Sequence, residues 1–185
     1  MMARRERPNY FLAIRLTDPA LLGSLREVQD QLLVAELSLR WGLFPLAEAH
    51  ITLNVFRVEE GGLGRVKDLL RSTFQQNKAL NPPDCVVVEG LSRFSARVLY
   101  AQPVRGLSFL HQLQTAFKET LLRNKITTDT RSYNPHITLF KADNSSRDLT
   151  LDKLFLGKDI FLKIYLVTSS KVLSSEVRLS QKFSC

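Results

Sequence analysis

The sequence predicts an α/β protein of the α+β type, with two pseudo-symmetric β-sheet lobes, outer helices and a central cleft. Segments rich in β-branched and aromatic residues alternate with segments whose leucines recur at helical spacing. The tripeptide H-I-T occurs once in each half, at residues 50–52 and 136–138. This repetition indicates an imperfect internal duplication. A chain of 185 residues can bury its own core, so we expect residues 1–185 to form a single bilobal domain.

The first half is predicted to run strand, helix, strand, helix. NYFLAIRL, residues 9–16, is rich in strand-forming residues, and Asp18 followed by Pro19 is a typical start of a helix. Leucines at helical spacing continue that helix to the upper thirties. HITLNVFRV, residues 50–58, is the second strand. Three glycines within residues 59–64 then break the chain before a second amphipathic helix.

The second half is predicted to repeat this alternation. CVVVEGL and ARVLYAQPV are two strands of a hairpin, and the leucines that follow mark a third helix. YNPHITLFKA is the strand with the second H-I-T, and residues 149–156 are expected to form a short helix. DIFLKIYLVTS and EVRLSQKF are predicted as the last strands.

The repeated tripeptide places polar groups on one face of two strands. Residues i and i+2 of a strand share a face, so His50 lies beside Thr52 and His136 beside Thr138. Asn54 is expected to continue the polar face of the first strand. Two imidazoles facing across a cleft suit acid–base catalysis, because one can take a proton while the other gives one. The threonine hydroxyls can donate hydrogen bonds to phosphate oxygens.

Other chemistries fit the sequence less well. A single H-x-T on a strand is ordinarily structural, and it is the second copy that favours function. Zinc needs three or four ligands, and the remaining histidine, His111, belongs to the apolar-periodic third helix and is interpreted as structural or surface. Neither a nucleophile elbow nor a nucleotide-binding glycine loop is present, and the glycines at residues 61–64 are interpreted as a turn. We therefore expect no metal and no cofactor.

The composition indicates an intracellular protein with an anionic partner. The formal net charge is +8, which favours nucleic acid or nucleotides, although an inert basic surface has the same composition. We expect no membrane partner, since no apolar run is long enough for a span and no signal peptide is evident. Cys85 and Cys185 are not expected to form a disulfide. Localisation is predicted as cytoplasmic or nuclear.

Paired hydrophobic H-x-T strands resemble the signature of the 2H phosphoesterase superfamily. The resemblance covers most of the chain. PNYFLAIRL, VEGLSRFSARVLYAQPV and RSYNPHITLFK are similar to segments of one branch, formed by the central domain of the gamma and delta A-kinase anchor proteins and the related domain of leukocyte receptor cluster member 9. The anchor proteins hold a kinase regulatory subunit with an amphipathic helix. This chain ends in VRLSQKFSC without an apolar stripe, so such anchoring is not supported.

The resemblance implies metal-independent phosphodiester chemistry on RNA or oligonucleotides, at 2′-5′ linkages or 2′,3′-cyclic phosphates. Carried onto this sequence, it makes His50 and His136 the acid–base pair and Thr52 and Thr138 the donors to phosphate oxygens. Which histidine is the acid stays open. The alternative is a module that binds AMP, CMP or an RNA end with little or no turnover inside a larger scaffold or regulatory protein. A protein-interaction domain that merely retains the motif is a third hypothesis.

Three further residues are candidates for substrate binding. Tyr133 or Phe11 is hypothesised to stack on a base, and Arg131 to face phosphate. For the two aromatic residues the competing interpretation is a place in the core, and for Arg131 it is a solvated surface. Arg15 shares a strand face with Phe11 and is a weaker candidate. Base preference and oligomeric state are not predicted.

Overall fold

The described residues form three α-helices and eight β-strands. The computed structural model describes residues 9–35, 42–59, 61–77, 85–94, 98–141, 165–168 and 178–182. The helices are α1 (Pro19–Ala35), α2 (Leu63–Gln76) and α3 (Leu107–Arg123), and a 3₁₀ turn lies at Leu46–Glu48. The strands are β1 (Asn9–Arg15), β2 (His50–Arg57), β3 (Cys85–Phe94), β4 (Val98–Arg105), β5 (Thr127–Thr128), β6 (Ile137–Lys141), β7 (Tyr165–Thr168) and β8 (Arg178–Lys182).

The strands make one antiparallel sheet in the order β7-β3-β4-β6-β2-β1-β8, with β5 added to β2. This arrangement confirms the predicted α+β class. Two groups of strands, β7-β3-β4-β6 and β2-β1-β8, meet within this single sheet. They are joined because β2 and β6 pair at one aligned position, Ile51 with Ile137. The strand with an H-I-T motif is therefore the innermost strand of each group.

The helices pack on the sheet through apolar faces. Asp18 caps α1 by accepting a hydrogen bond from the Leu21 N–H at 2.9 Å, as the predicted helix start requires. α1 contacts β7 and the 3₁₀ turn, whereas α3 packs against α2, β2 and β5. The largest fully buried side chains come from the three helices and from β1, β2, β4 and β6. They are Phe56, Phe117, Leu12, Leu21, Leu25, Leu32, Leu70, Leu99, Leu110, Leu121 and Ile137.

A bulge in β2 overturns the expectation for Asn54. Leu12 and Ala13 are consecutive in β1 but align with Asn54 and Thr52, so Leu53 is an extra residue in β2. The bulge turns Asn54 away from the polar face, and its side chain is buried. There its amide exchanges hydrogen bonds with Gln114 of α3 at 3.1 and 3.2 Å. Asn54 is thus a structural contact between β2 and α3.

The remaining predicted elements have mixed outcomes. The strand predicted over residues 159–169 is confirmed where the structure describes it, at β7, and the last strand is confirmed as β8. The helix predicted at residues 149–156 lies outside the described residues, as does Cys185. The short strand β5 is not predicted by the sequence pattern. It forms because it pairs antiparallel with the end of β2.

Candidate active site

The two motifs meet where β2 and β6 overlap. Ile51 and Ile137 are aligned across this antiparallel contact, and each is the middle residue of its H-I-T. Both isoleucines are buried in the core. Because side chains alternate along a strand, the flanking histidines and threonines point to the opposite face. The motif residues are therefore related by an approximate two-fold axis through the isoleucine pair.

The register brings all four predicted catalytic residues to one place. In an antiparallel pair the neighbours of an aligned position also face each other. His50 therefore lies on the side of Thr138, and Thr52 on the side of His136. All four side chains are half-buried, so they combine solvent access with a partly dry surrounding. The structure thus brings together the two pairs singled out in the sequence.

The two histidines are held in the same way. The Nδ1 atom of His50 lies 2.7 Å from the carbonyl oxygen of Glu48, and that of His136 lies 2.8 Å from the carbonyl oxygen of Asn134. In both cases the carbonyl belongs to the residue two positions earlier. A carbonyl oxygen only accepts, so Nδ1 carries a proton and donates it. This bond leaves the Nε2 atom of each ring for proton transfer.

Aromatic rings surround each imidazole. Phe11 of β1 stacks on His50 with ring centroids 5.0 Å apart, and Phe44 meets the same imidazole edge-on at 5.5 Å. Around His136 the corresponding neighbours are Phe94 at 4.7 Å and Tyr100 at 5.3 Å. These contacts fix the ring planes and lower the local polarity. Each histidine therefore has two aromatic neighbours that limit its rotation.

The pKa of His136 lies below the ordinary histidine value of 6.5. Burial is the main cause, because it disfavours the charged imidazolium. The hydrogen bond to the Asn134 carbonyl opposes this shift, while the nearby His50 adds to it through charge repulsion. That electrostatic coupling is a second indication that the two imidazoles are near neighbours. At neutral pH His136 is consequently neutral, with a lone pair on Nε2.

Phe11 and Tyr133, the two predicted base-stacking residues, have different surroundings. Phe11 contacts His50 and so belongs to the site. The ring of Tyr133 lies edge-on to His111 at 5.1 Å and packs against the core. Burial raises the pKa of its hydroxyl, which has no hydrogen-bond partner among the described residues. These contacts favour a packing role for Tyr133, and base stacking by either ring stays a prediction.

Arg131 is exposed and paired with Asp129. Its Nε donates to the Asp129 carboxylate at 2.8 Å, and its backbone N–H donates to the other carboxylate oxygen at 2.9 Å. The side-chain bond lowers the pKa of Asp129 and raises that of Arg131. Arg15, aligned with His50 across β1 and β2, donates to the Ala47 carbonyl at 3.0 Å. Among the described residues, neither the Arg131 nor the Arg15 guanidinium contacts a histidine ring.

Three residues of the site were not singled out from the sequence. Phe94 and Tyr100 lie at least 36 residues from either H-I-T tripeptide, whereas Phe44 lies six residues before His50. Only the alignment of β4 with β6, which pairs Tyr100 with Thr138, brings that ring to the site. The sequence holds one signal for Tyr100, because this residue lies on a strand of the predicted hairpin. That strand pairs with β6, so the Tyr100 ring shares a sheet face with Thr138. No comparable signal marks Phe44.

Neither a metal-ligand cluster nor a membrane-spanning helix is present among the described residues. No cluster of three or more histidine, cysteine, aspartate or glutamate side chains is placed to hold a metal ion within that part of the chain. Among the same residues, none of the helices has the length and apolar character required to cross a membrane. The four motif side chains are two imidazoles and two hydroxyls, which can transfer protons and donate hydrogen bonds.

Residues 8–183 match a sequence family described as the AKAP7 2′5′ RNA ligase-like domain. The match covers nearly the whole chain and includes both H-I-T motifs. None of the curated proteins compared with the chain is significantly similar to it.

Three solved structures are similar to the chain at low sequence identity. The MHV ns2 PDE domain has a TM-score of 0.68 and 17% identity, over 96% of this chain and 100% of that one. E. coli LigT complexed with ATP has a TM-score of 0.49 and 20% identity, over 74% of this chain and 72% of that one. A phosphoesterase has a TM-score of 0.48 and 19% identity, over 95% and 94%. The likeness to the ns2 domain confirms the fold.

Proposed function

The chain belongs to the family of the AKAP7 2′5′ RNA ligase-like domain, within the 2H phosphoesterase superfamily, and on this premise we propose that it is a phosphodiesterase that cleaves RNA or oligonucleotides. The proposed bonds are 2′-5′ linkages or 2′,3′-cyclic phosphates, and the reaction needs no metal. The observation that carries the proposal is the pair of similarly anchored imidazoles, that of His50 at the start of β2 and that of His136 directly before the adjacent β6. Each has Nδ1 bound to a carbonyl and Nε2 left for a proton.

The lowered pKa of His136 favours this residue as the general base. A base must be unprotonated at working pH, and the half-buried His136, whose pKa lies below the ordinary value, meets that requirement. His50 is then the acid that protonates the leaving oxygen. The Nδ1 bonds hold both rings while their Nε2 atoms exchange protons. The proposal therefore makes His136 the base and His50 the acid, a choice that the sequence left open.

The proposed reaction proceeds by in-line displacement at phosphorus. With a cyclic phosphate, Nε2 of His136 takes a proton from water as its oxygen bonds to phosphorus. The bond to one ribose oxygen breaks, and His50 donates its proton to that oxygen. With a 2′-5′ linkage the adjacent 3′-hydroxyl is the nucleophile and the 5′-oxygen leaves. Thr52 and Thr138 donate hydrogen bonds to the non-bridging oxygens, where charge accumulates.

The test is an incubation with EDTA and three substrates. They are a 2′-5′ oligoadenylate, a matched 3′-5′ oligoadenylate and an oligomer ending in a 2′,3′-cyclic phosphate. The variants are His50→Ala with His136→Ala, and His111→Ala as a histidine control outside the pair. Cleavage by wild type and by the control, but not by the double variant, supports the proposal. Survival of all three substrates with wild type contradicts it, and a nucleotide bound and recovered unchanged would instead indicate a binding module.

A further inference from the structure

Gln29 is a buried amide in the apolar face of α1. Its side chain is 7% exposed, between buried residues such as Val28 and Leu32. Burying an amide among apolar side chains is unfavourable unless its hydrogen-bonding groups find partners. The Nε2 atom of Gln29 donates two hydrogen bonds, to the Phe44 carbonyl at 2.8 Å and to the Leu139 carbonyl at 2.9 Å. The amide therefore uses both of its N–H groups to connect two other segments.

Those two segments carry parts of the candidate site. Phe44 lies edge-on to His50. Leu139 directly follows Thr138 in β6, the strand that begins beside His136. The same Leu139 carbonyl also accepts a hydrogen bond from the Phe44 N–H at 2.9 Å. One glutamine thus reinforces a contact between the aromatic neighbour of one histidine and the strand of the other.

The segment before Phe44 is tightly packed against β6. Leu43 forms a bridge with Phe140. A Cβ atom added at Gly42 would collide with the Phe140 ring and lie 2.9 Å from the Lys141 carbonyl oxygen. Backbone approach this close leaves little room for Phe44 to move along the strand. The segment of Phe44 is therefore tightly packed against β6. Gln29 of α1 donates one hydrogen bond to each of these two segments.

We propose that Gln29 is a positioning residue that holds Phe44 against His50 and thereby fixes His50 relative to the strand of Thr138. The role rests on the proposed phosphodiesterase function, since it concerns how well the two imidazoles are aligned for proton transfer. Gln29 contacts neither imidazole in the described contacts. It acts through the Phe44 carbonyl, and Phe44 acts on His50 by limiting the rotation of its ring.

The direct test replaces Gln29 by methionine, which has similar length and no donor. Misalignment of reacting groups lowers turnover more than binding, so we expect Gln29→Met to reduce kcat about tenfold or more while KM changes little. Gln114→Met is the matched control, because Gln114 is also a buried helical glutamine but bonds Asn54 on the other face of β2. The control should lose comparable stability and keep its kcat. Equal loss of kcat in both variants would overturn the proposal.

A second variant covers the case in which Gln29→Met does not fold. Phe44→Leu leaves Gln29 and both carbonyls in place and removes only the ring at His50. We expect Phe44→Leu alone to reproduce the reduction in kcat. Where Gln29→Met does fold, the double variant should show no further reduction. Wild-type kcat in Phe44→Leu would contradict a route through Phe44.

A third measurement does not depend on turnover. Histidine ring signals followed by NMR across pH report the environment of His50 and His136 directly. Gln29→Met should change the chemical shifts of the His50 ring signals, whereas Gln114→Met should leave them as in wild type. If no substrate is cleaved but this change is observed, the proposed function fails and the positioning role stands. If cleavage is observed and the His50 ring signals are identical in all three proteins, the positioning role fails alone.

Discussion

Burial and the nearby charge of His50 together hold the pKa of His136 below its ordinary value. His136 consequently resists carrying a positive charge, and a general base must be unprotonated to accept a proton. The lowered pKa also gives the candidate site a defined dependence on pH.

The first prediction concerns the pH dependence of turnover. If His136 is the base, the acid limb of the kcat/KM profile should have its midpoint below pH 6.5, the unperturbed value. Phe94→Leu increases solvent access around His136 and should move that midpoint upward. The measurement is kcat/KM between pH 4.5 and 8.5, in buffers of about equal ionic strength. An acid limb above 6.5 would contradict the assignment of His136 as the base.

The same pKa shift predicts how stability changes with pH. Below 6.5 the unfolded chain protonates His136 while the folded chain does not, so the unfolded state binds more protons. This histidine should therefore lower the free energy of unfolding as the pH falls from 6.5 to the folded-state pKa. Urea unfolding of wild type and His136→Asn across this window measures the difference. A gap between the two proteins that does not change with pH would disprove this linkage.

The threonines are expected to stabilise the transition state. Thr52→Val and Thr138→Val keep the branched shape and remove the hydroxyl, so each should lower kcat by roughly a hundredfold with modest change in KM. Thr52→Ser and Thr138→Ser retain the donor and should recover most of the activity. The comparison is made on whichever oligonucleotide the wild type cleaves. Valine variants as active as wild type would show that the hydroxyls do not contact phosphate.

Tyr133 provides a test of packing against base stacking. Its hydroxyl is buried without a partner among the described residues, so Tyr133→Phe should retain wild-type stability or gain about 1 kcal/mol. Tyr133→Ala removes the ring that contacts His111 and should destabilise the fold. Thermal unfolding and AMP titration of both variants separate the roles. If Tyr133→Ala keeps its stability but binds nucleotide more weakly, the stacking hypothesis is supported instead.

Arg131 is exposed and paired with Asp129, and we expect its removal to weaken substrate binding only modestly. If Arg131 faces phosphate, Arg131→Ala should raise KM about fivefold at low salt, equivalent to roughly 1 kcal/mol, and the effect should decrease as salt is added. Arg71→Ala is the control, since Arg71 is likewise exposed and paired, with Asp68 on α2. A change of KM that is equal in both variants would indicate a general charge effect.

A stability prediction follows from the backbone after α3. Lys125 has a φ of 59°, in the left-handed region, and its N–H bonds the Leu122 carbonyl in the turn that ends the helix. Glycine takes this conformation without strain, so Lys125→Gly should raise the free energy of unfolding by about 0.5–1 kcal/mol. Urea unfolding measures the change, and Lys118→Gly in the middle of α3 should have the opposite sign. Destabilisation by Lys125→Gly would contradict the strain argument.

Local sequence pattern predicted the three described helices and the described strands other than β5, and it placed each His–Thr pair on one strand face. His50 and Thr52 share a face because strands alternate, and that rule depends only on neighbours. Asn54 breaks the rule because of a bulge whose cause is the register with Leu12 and Ala13 of another strand. Phe44 reaches His50 through a contact with β6, which is nearly a hundred positions away. Such long-range pairings leave no local periodicity, so the aromatic surroundings of the histidines required the structure.

The pairing of β1 with β8 has a consequence for synthesis on the ribosome. These strands align from Asn9 with Lys182 to Ala13 with Arg178, so the outer edge of β1 is covered only after residues 178–182 have been synthesised. Until then β1 presents unpaired backbone groups to other nascent chains. Pairing between strands that lie so far apart in the sequence also slows folding. Premature termination before β8 should therefore release an aggregation-prone product, even though both H-I-T motifs would already have been made.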